Sequence, residues 1–108
     1  MLLNFYIKQN DSSPTIRATL KGADGASLNL SGATVSFFMK RDSGDTVIQG
    51  AADLFDPSQG IVQYEWVSGD TAIAGSYGAE FEITYADGKV ETFPNSGKIQ
   101  VNITPKLS

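Results

Sequence analysis

The stretch Ile61–Pro94, IVQYEWVSGDTAIAGSYGAEFEITYADGKVETFP, decides the fold. Val62, Tyr64 and Trp66 fall on one side of an alternating run and Gln63 and Glu65 on the other. Tyr77, Ala79, Phe81, Ile83 and Tyr85 repeat the pattern against Glu80, Glu82 and Thr84. A period of two marks a half-buried strand, because successive side chains leave a strand on opposite faces. Asp87-Gly88 supplies the residues of a tight hairpin turn and leads into a third run, Val90 to Phe93. Between the first two runs, Gly69-Asp70-Thr71 and Gly75-Ser76-Tyr77 read as a corner joining two sheets, with room for a single helical turn around Asp70 to Ala74. These features describe the back half of a β-sandwich.

Working outward, the same period recurs between turn clusters. Leu3, Phe5 and Ile7 alternate until Asn10-Asp11-Ser12-Ser13-Pro14 breaks the strand, and Ile16, Ala18 and Leu20 make the next inward row. Ala23-Asp24-Gly25 is a turn, and Leu28 and Leu30 follow as a short strand or extended segment. Val35, Phe37 and Met39 alternate inward. A strand restarting at Thr46 to Ile48 fades through Gly50-Ala51-Ala52 and ends at Asp56 to Gly60, and Ile99, Val101 and Ile103 form the last strand. The expectation is an all-β sandwich of seven to nine strands with no competing helix-period segment. Lys8, Arg17, Lys40 and Lys89 are the cations available to guard its edges against open-ended pairing.

Bulk composition narrows the rest. One domain over residues 1–108 is expected from the length, and 41% hydrophobic against 19% charged residues describe an ordinary folded protein. A net charge of −4 with only eight scattered Lys and Arg opposes nucleic-acid binding and docking on anionic membranes. The amino terminus, MLLNFYIKQ, lacks a basic lead and is interrupted by Asn4, so neither a signal peptide nor a membrane span is expected, and the chain reads as a mature, cytosolically made protein. With no Cys and no His, thiolate chemistry, zinc–sulfur sites and the commonest general base are excluded. No cofactor or catalytic residue is expected.

Candidate chemistry is weighed against plainer readings. Asp42, Asp45, Asp53 and Asp56 could gather around Ca²⁺, but their spacing matches no calcium loop and suits solvated turns. Glu65, Glu80 and Glu82 could share an outward face, the type of carboxylate pairing that glycoside hydrolysis uses. A flat solvated face, however, gives no means of raising one carboxyl pKa. Asp70 and Tyr77 suit a corner in which a tyrosine hydroxyl bonds back to upstream backbone, with Trp66 as the core plug beside it. A Trp66 exposed instead of buried could stack on sugar, with Phe55 and Phe93 as partners. Apolar residues of the opposite parity, Leu2, Tyr6, Phe38 and Ile61, are candidates for an outer patch, and Leu2, Tyr6 and Phe38 are the expected partner-binding residues.

The motifs Asp11 to Pro14 (Asp-x-x-Pro), Leu30 to Val35 (Leu-x-Gly-Ala-x-Val), Gly69 to Tyr77 and Asp87 to Pro94 span nearly the whole chain. Together they resemble the immunoglobulin-like N-terminal domain of bacteriophage baseplate upper proteins and related tail-fibre components. The resemblance implies an immunoglobulin-like antiparallel β-sandwich in the virion. Its role would be that of a non-catalytic adaptor that docks onto other proteins of the tail or baseplate and repeats about the tail axis as a symmetric ring of copies. Two alternatives on the same fold are a capsid decoration or head-closure protein and a carbohydrate-binding module for host-surface adhesion.

Overall fold

The computed structural model describes residues 3–22, 24–44 and 46–107. Nine strands form among them: β1 (Leu3–Lys8), β2 (Ile16–Thr19), β3 (Thr34–Arg41), β4 (Thr46–Ala51), β5 (Asp53–Asp56), β6 (Ile61–Tyr64), β7 (Gly75–Thr84), β8 (Val90–Phe93) and β9 (Ile99–Thr104). The larger sheet runs β1-β9-β7-β3-β4, with β8 also paired to β7, and the smaller runs β2-β6-β5. Each layer turns one apolar face to the other, the arrangement that buries a period-two pattern on one side only.

β7 is the spine of the larger sheet. It pairs with β3 from Thr34↔Thr84 to Arg41↔Tyr77, and on its other side with β9 along its first half and β8 along its second. That register places Val35, Phe37 and Met39 level with Ile83, Phe81 and Ala79, all buried. The smaller sheet answers with Ile16, Val62 and Tyr64, and the chain beyond its strands adds Leu20, Leu30 and Trp66. Phe37 carries the inter-sheet contact: its ring stacks on Tyr64 at 4.5 Å between centroids and meets Trp66 edge-on at 5.9 Å.

The structure departs from the sequence reading at several points. β1 pairs with β9 in parallel, Leu3↔Ile99 through Lys8↔Thr104, so the sandwich is not wholly antiparallel. Alternation sets which face a residue takes but carries no information on the partner strand's direction. The strand expected to fade from Thr46 is two strands. β4 stays with β3, the Ala52 N–H still reaches the Val35 carbonyl at 3.0 Å, and Asp53 then pairs with Gln63 of the other sheet. Leu28–Leu30 is extended chain outside the named strands, touching them through the isolated bridge Lys21↔Ser27 and the Leu28 N–H to Leu20 carbonyl bond. No helix forms at Asp70–Ala74, which is a pair of turns; the short 3-10 segment is at Pro57–Gln59. Of the expected edge guards, Lys8 lies on β1 and Arg17 on β2, both edge strands, whereas Lys40 sits on β3 between two neighbours and Lys89 in the β7–β8 turn.

Gly60 closes the 3-10 segment at φ 71°, and a Cβ there would sit 2.7 Å from the Leu20 carbonyl oxygen and 2.8 Å from that of Leu28. Gly25, at φ 83°, faces open space. Gly25→Ala should therefore cost about 1 kcal/mol, the left-handed penalty alone, and Gly60→Ala about 3 kcal/mol or more, since backbone must also shift. Denaturant unfolding of the two variants checks the order. At the hairpin, the Tyr85 hydroxyl donates to Glu91 Oε1 at 2.8 Å, and burial followed by that carboxylate pushes its pKa up to about 12. The folded state holds the proton more tightly than the unfolded chain, so this contribution is complete below pH about 10 and is lost as pH rises towards 12. Melting temperatures between pH 9 and 12 should fall, and Tyr85→Phe should fall less steeply over that window.

Candidate functional site

Of the residues expected to meet a partner, Tyr6 and Phe38 fall on the outer face of the larger sheet, and register fixes the order of side chains across it. One row reads Gln49, Phe38, Glu80 on β4, β3 and β7; the next reads Lys40, Gly78, Gln100, Asn4 on β3, β7, β9 and β1; a third reads Ser76, Asn102, Tyr6 on β7, β9 and β1. Gly78 leaves this face without a side chain at its middle. A Cβ at that position would sit 2.5 Å from Lys98 Cδ, so the lysine stem crosses directly over the glycine. Its Nζ ends 3.0 Å from Asp42 Oδ1 in the β3–β4 turn. Both groups are about half exposed, 48% and 45%, so the pair orients the lysine more than it stabilises the fold.

Around this strap the face sinks into a shallow groove of about 520 Å³ bordered by Phe38, Lys40, Gln49, Glu80, Glu82 and Lys98. The register slip between Met39 and Lys40 on β3 lies at its edge, where a bulge re-aims side chains. The half-buried Phe38 ring is the apolar element and charges of both signs surround it. Such a surface suits a partner with its own mixed polar rim more than a single small ion.

Tyr6 and Phe38 share this face without touching. Tyr6 is 64% exposed on β1, and β9 and β7 intervene before β3, three strand spacings or about 14 Å across the sheet, with a further offset of about 13 Å along it because Tyr6 is level with Ser76 and Phe38 with Glu80. Asn102, Gln100 and Ser76 fill the gap, so the face carries two separated apolar points on polar ground, and not a continuous apolar patch. Ile61 belongs to the smaller sheet and so to a different surface. Leu2 lies outside the described residues.

The corner residues lie at one end of the sandwich. Asp70 Oδ2 accepts from the Tyr64 hydroxyl at 2.7 Å and from the Val67 N–H at 2.9 Å. Burial, then the bond to Asp70, pushes the Tyr64 hydroxyl far above the ordinary phenol range. The Tyr77 hydroxyl donates instead to the Ile73 carbonyl oxygen at 2.5 Å. Two tyrosines thus hold the connection, and Tyr64 is the one that sequence reading passed over, because its parity marked it only as core. Trp66 Nε1 donates to the Pro14 carbonyl at 3.0 Å and its ring is 5% exposed. Phe93 is buried too, and the exposed Phe55 ring lies under the Arg17 guanidinium at 3.6 Å, so the three rings weighed for sugar stacking do not form one platform.

The acidic candidates do not converge. Glu80 and Glu82 lie on β7, whereas Glu65 follows β6 in the other sheet. Asp42 holds Lys98, Asp56 accepts from the Ser58 hydroxyl at 2.9 Å, and Asp45 lies outside the described residues. No group of three metal-ligating side chains occurs among the described residues.

Among the described residues every buried side-chain polar atom has a hydrogen-bond partner, and the distinctive residues lie on faces and corners. The family model of the BppU N-terminal domain matches residues 3–106, and the chain belongs to that family, the N-terminal domain of phage baseplate upper proteins. It is thereby a structural protein of the bacteriophage tail or baseplate, located in the virion. Among solved structures it is similar to CopC from Methylosinus trichosporium OB3b, with a TM-score of 0.58 and 14% identity over 98% of this chain and 88% of that one, a likeness of fold alone. No curated protein matches the chain.

Asp70→Ala removes the acceptor of the part-buried Tyr64 hydroxyl and of the solvent-accessible Val67 N–H, and should cost about 2 kcal/mol. Tyr64→Phe removes one hydroxyl and leaves Asp70 its second donor, so about 1 kcal/mol is expected. Chemical unfolding of both variants checks the ratio.

Proposed function

We propose that this domain is a non-catalytic tail or baseplate adaptor, which docks through the outer face of its larger sheet onto other tail proteins and repeats about the tail axis as a ring of copies. Family membership across residues 3–106 is the observation that carries this reading. The geometry supports it with a six-stranded face bearing Phe38 and Tyr6 as separate anchors and the Lys98–Asp42 strap between charged rims. Anchors of this kind contribute most where they are desolvated on docking, and repetition about a symmetry axis converts modest single contacts into a stable ring.

No step of bond-making enters the mechanism. The sandwich holds its outer face rigid, so little ordering entropy is lost on docking. Gold-labelled antibody against the domain should decorate the tail tip of intact virions in electron micrographs; label on the capsid would overturn the assignment. Phe38→Ser should lower co-purification with the other tail proteins about tenfold or more while the melting temperature shifts little, and Tyr6→Ser should act in the same direction more weakly. Unchanged co-purification in both would remove the outer face from the interface.

A further inference from the structure

The smaller sheet ends at β2, whose far side is unpaired among the described residues. The Leu20 N–H donates to the Gly60 carbonyl at 2.7 Å, and the register continues as Ala18↔Val62 and Ile16↔Tyr64. Antiparallel alternation then turns the backbone N–H and C=O of Arg17 and Thr19 outward, onto the open edge. Edge strands are commonly shielded by a long cation lying along them. Here Arg17 is drawn the other way. Its Nε and Nη2 donate to Gln63 Oε1 at 3.1 and 2.7 Å, and its guanidinium rests over the Phe55 ring of β5 at 3.6 Å. The arginine is thus folded back across its own sheet.

Next to this edge a cleft of about 90 Å³ opens between the sheets, walled by Ala18, Thr19, Leu20 and Lys21 on one side and by Phe81, Phe93, Pro94 and Ile99 on the other, with Lys21 the one cation in its lining. Ala18 is the small member of the inward row, between the buried Ile16 and Leu20. The volume is roughly three times a water's share of the liquid, room for one branched aliphatic side chain. The walls are mainly apolar side chains.

We propose that the β2 edge is a strand-addition site for a free, extended segment of a neighbouring virion protein, which pairs its backbone with Arg17 and Thr19 and turns one aliphatic side chain into the cleft. Unpaired backbone groups call for an extended chain, and the cleft specifies the side chain that faces inward, the division of labour seen in strand addition generally. A second copy of this domain does not fit. Its own edge strands have their inward side chains committed to its own core, as Ile16 and Leu20 are at 2% and 4% exposure, and cannot also enter this cleft. The site lies on the smaller sheet, apart from the outer face of the larger one.

The probe is a capped peptide of alternating threonine and valine with a glutamate at each end, titrated to millimolar concentration into isotope-labelled protein. Amide exchange at Arg17 and Thr19 should slow about tenfold on saturation, and Ala18→Leu, which fills the cleft from within, should weaken binding about tenfold or more. The same peptide methylated on its central backbone nitrogens should not bind, a control that leaves the protein's fold untouched. The proposal is overturned by no response at millimolar peptide, by a response centred on β1 or on β4, by binding that survives both Ala18→Leu and methylation, or by dimerisation of the protein through β2. Phe38→Ser should leave peptide binding unchanged, so this site and the outer-face docking fail separately.

Discussion

The structure depends on the contact that Phe37 makes across the sandwich. Its ring lies against Tyr64 and Trp66 of the opposing layer and against Phe81 of its own at 5.1 Å, so a single side chain touches both walls of the core. Aromatic rings at these separations add to the burial of their area. The neighbours Val35 and Met39 on β3, and Ala79 and Ile83 on β7, extend the seam in both directions. The outer face of the larger sheet follows from that seam: Phe38 and Glu80 point outward because Phe37 and Phe81 point inward.

From the same core comes the rigidity of the connections. Tyr64 and Trp66 anchor apolar rings in the seam and send their polar ends outward, one to Asp70 and the other to the Pro14 carbonyl. The loop between β6 and β7 is fixed further by the Gln9 side chain to the Ala72 carbonyl at 2.8 Å and the Thr71 hydroxyl to the Asp11 carbonyl at 2.8 Å. A corner tied on so many sides transmits the position of one sheet to the other.

What the sequence disclosed, and what it withheld, divides by range. Inward parity on β3, β6 and β7 was legible because a two-residue period is local, and so was the Asp87-Gly88 turn. The parallel union of β1 with β9 was not, since it joins residues almost a chain length apart and leaves no mark on either strand's alternation. Nor was the change of sheet at Ala52, where a continuous run of weakly apolar residues conceals a break in pairing. At the candidate face, Phe38 and Tyr6 could be placed outward from parity, but their separation could not, because it depends on the order β1-β9-β7-β3. The Lys98 strap over Gly78 and the retreat of Arg17 onto Phe55 both span neighbouring strands, and only the register reveals them.

The parallel β1–β9 pair has a mechanical consequence. β1 begins level with Ile99 and β9 finishes level with Lys8, so these two strands start at one pole of the sandwich and end at the other. Tension applied between the start of β1 and the end of β9 slides the strands past each other, loading the whole ladder in shear from Leu3↔Ile99 to Lys8↔Thr104 instead of peeling its bonds apart one at a time. A domain strung this way resists stretching as a clamp does.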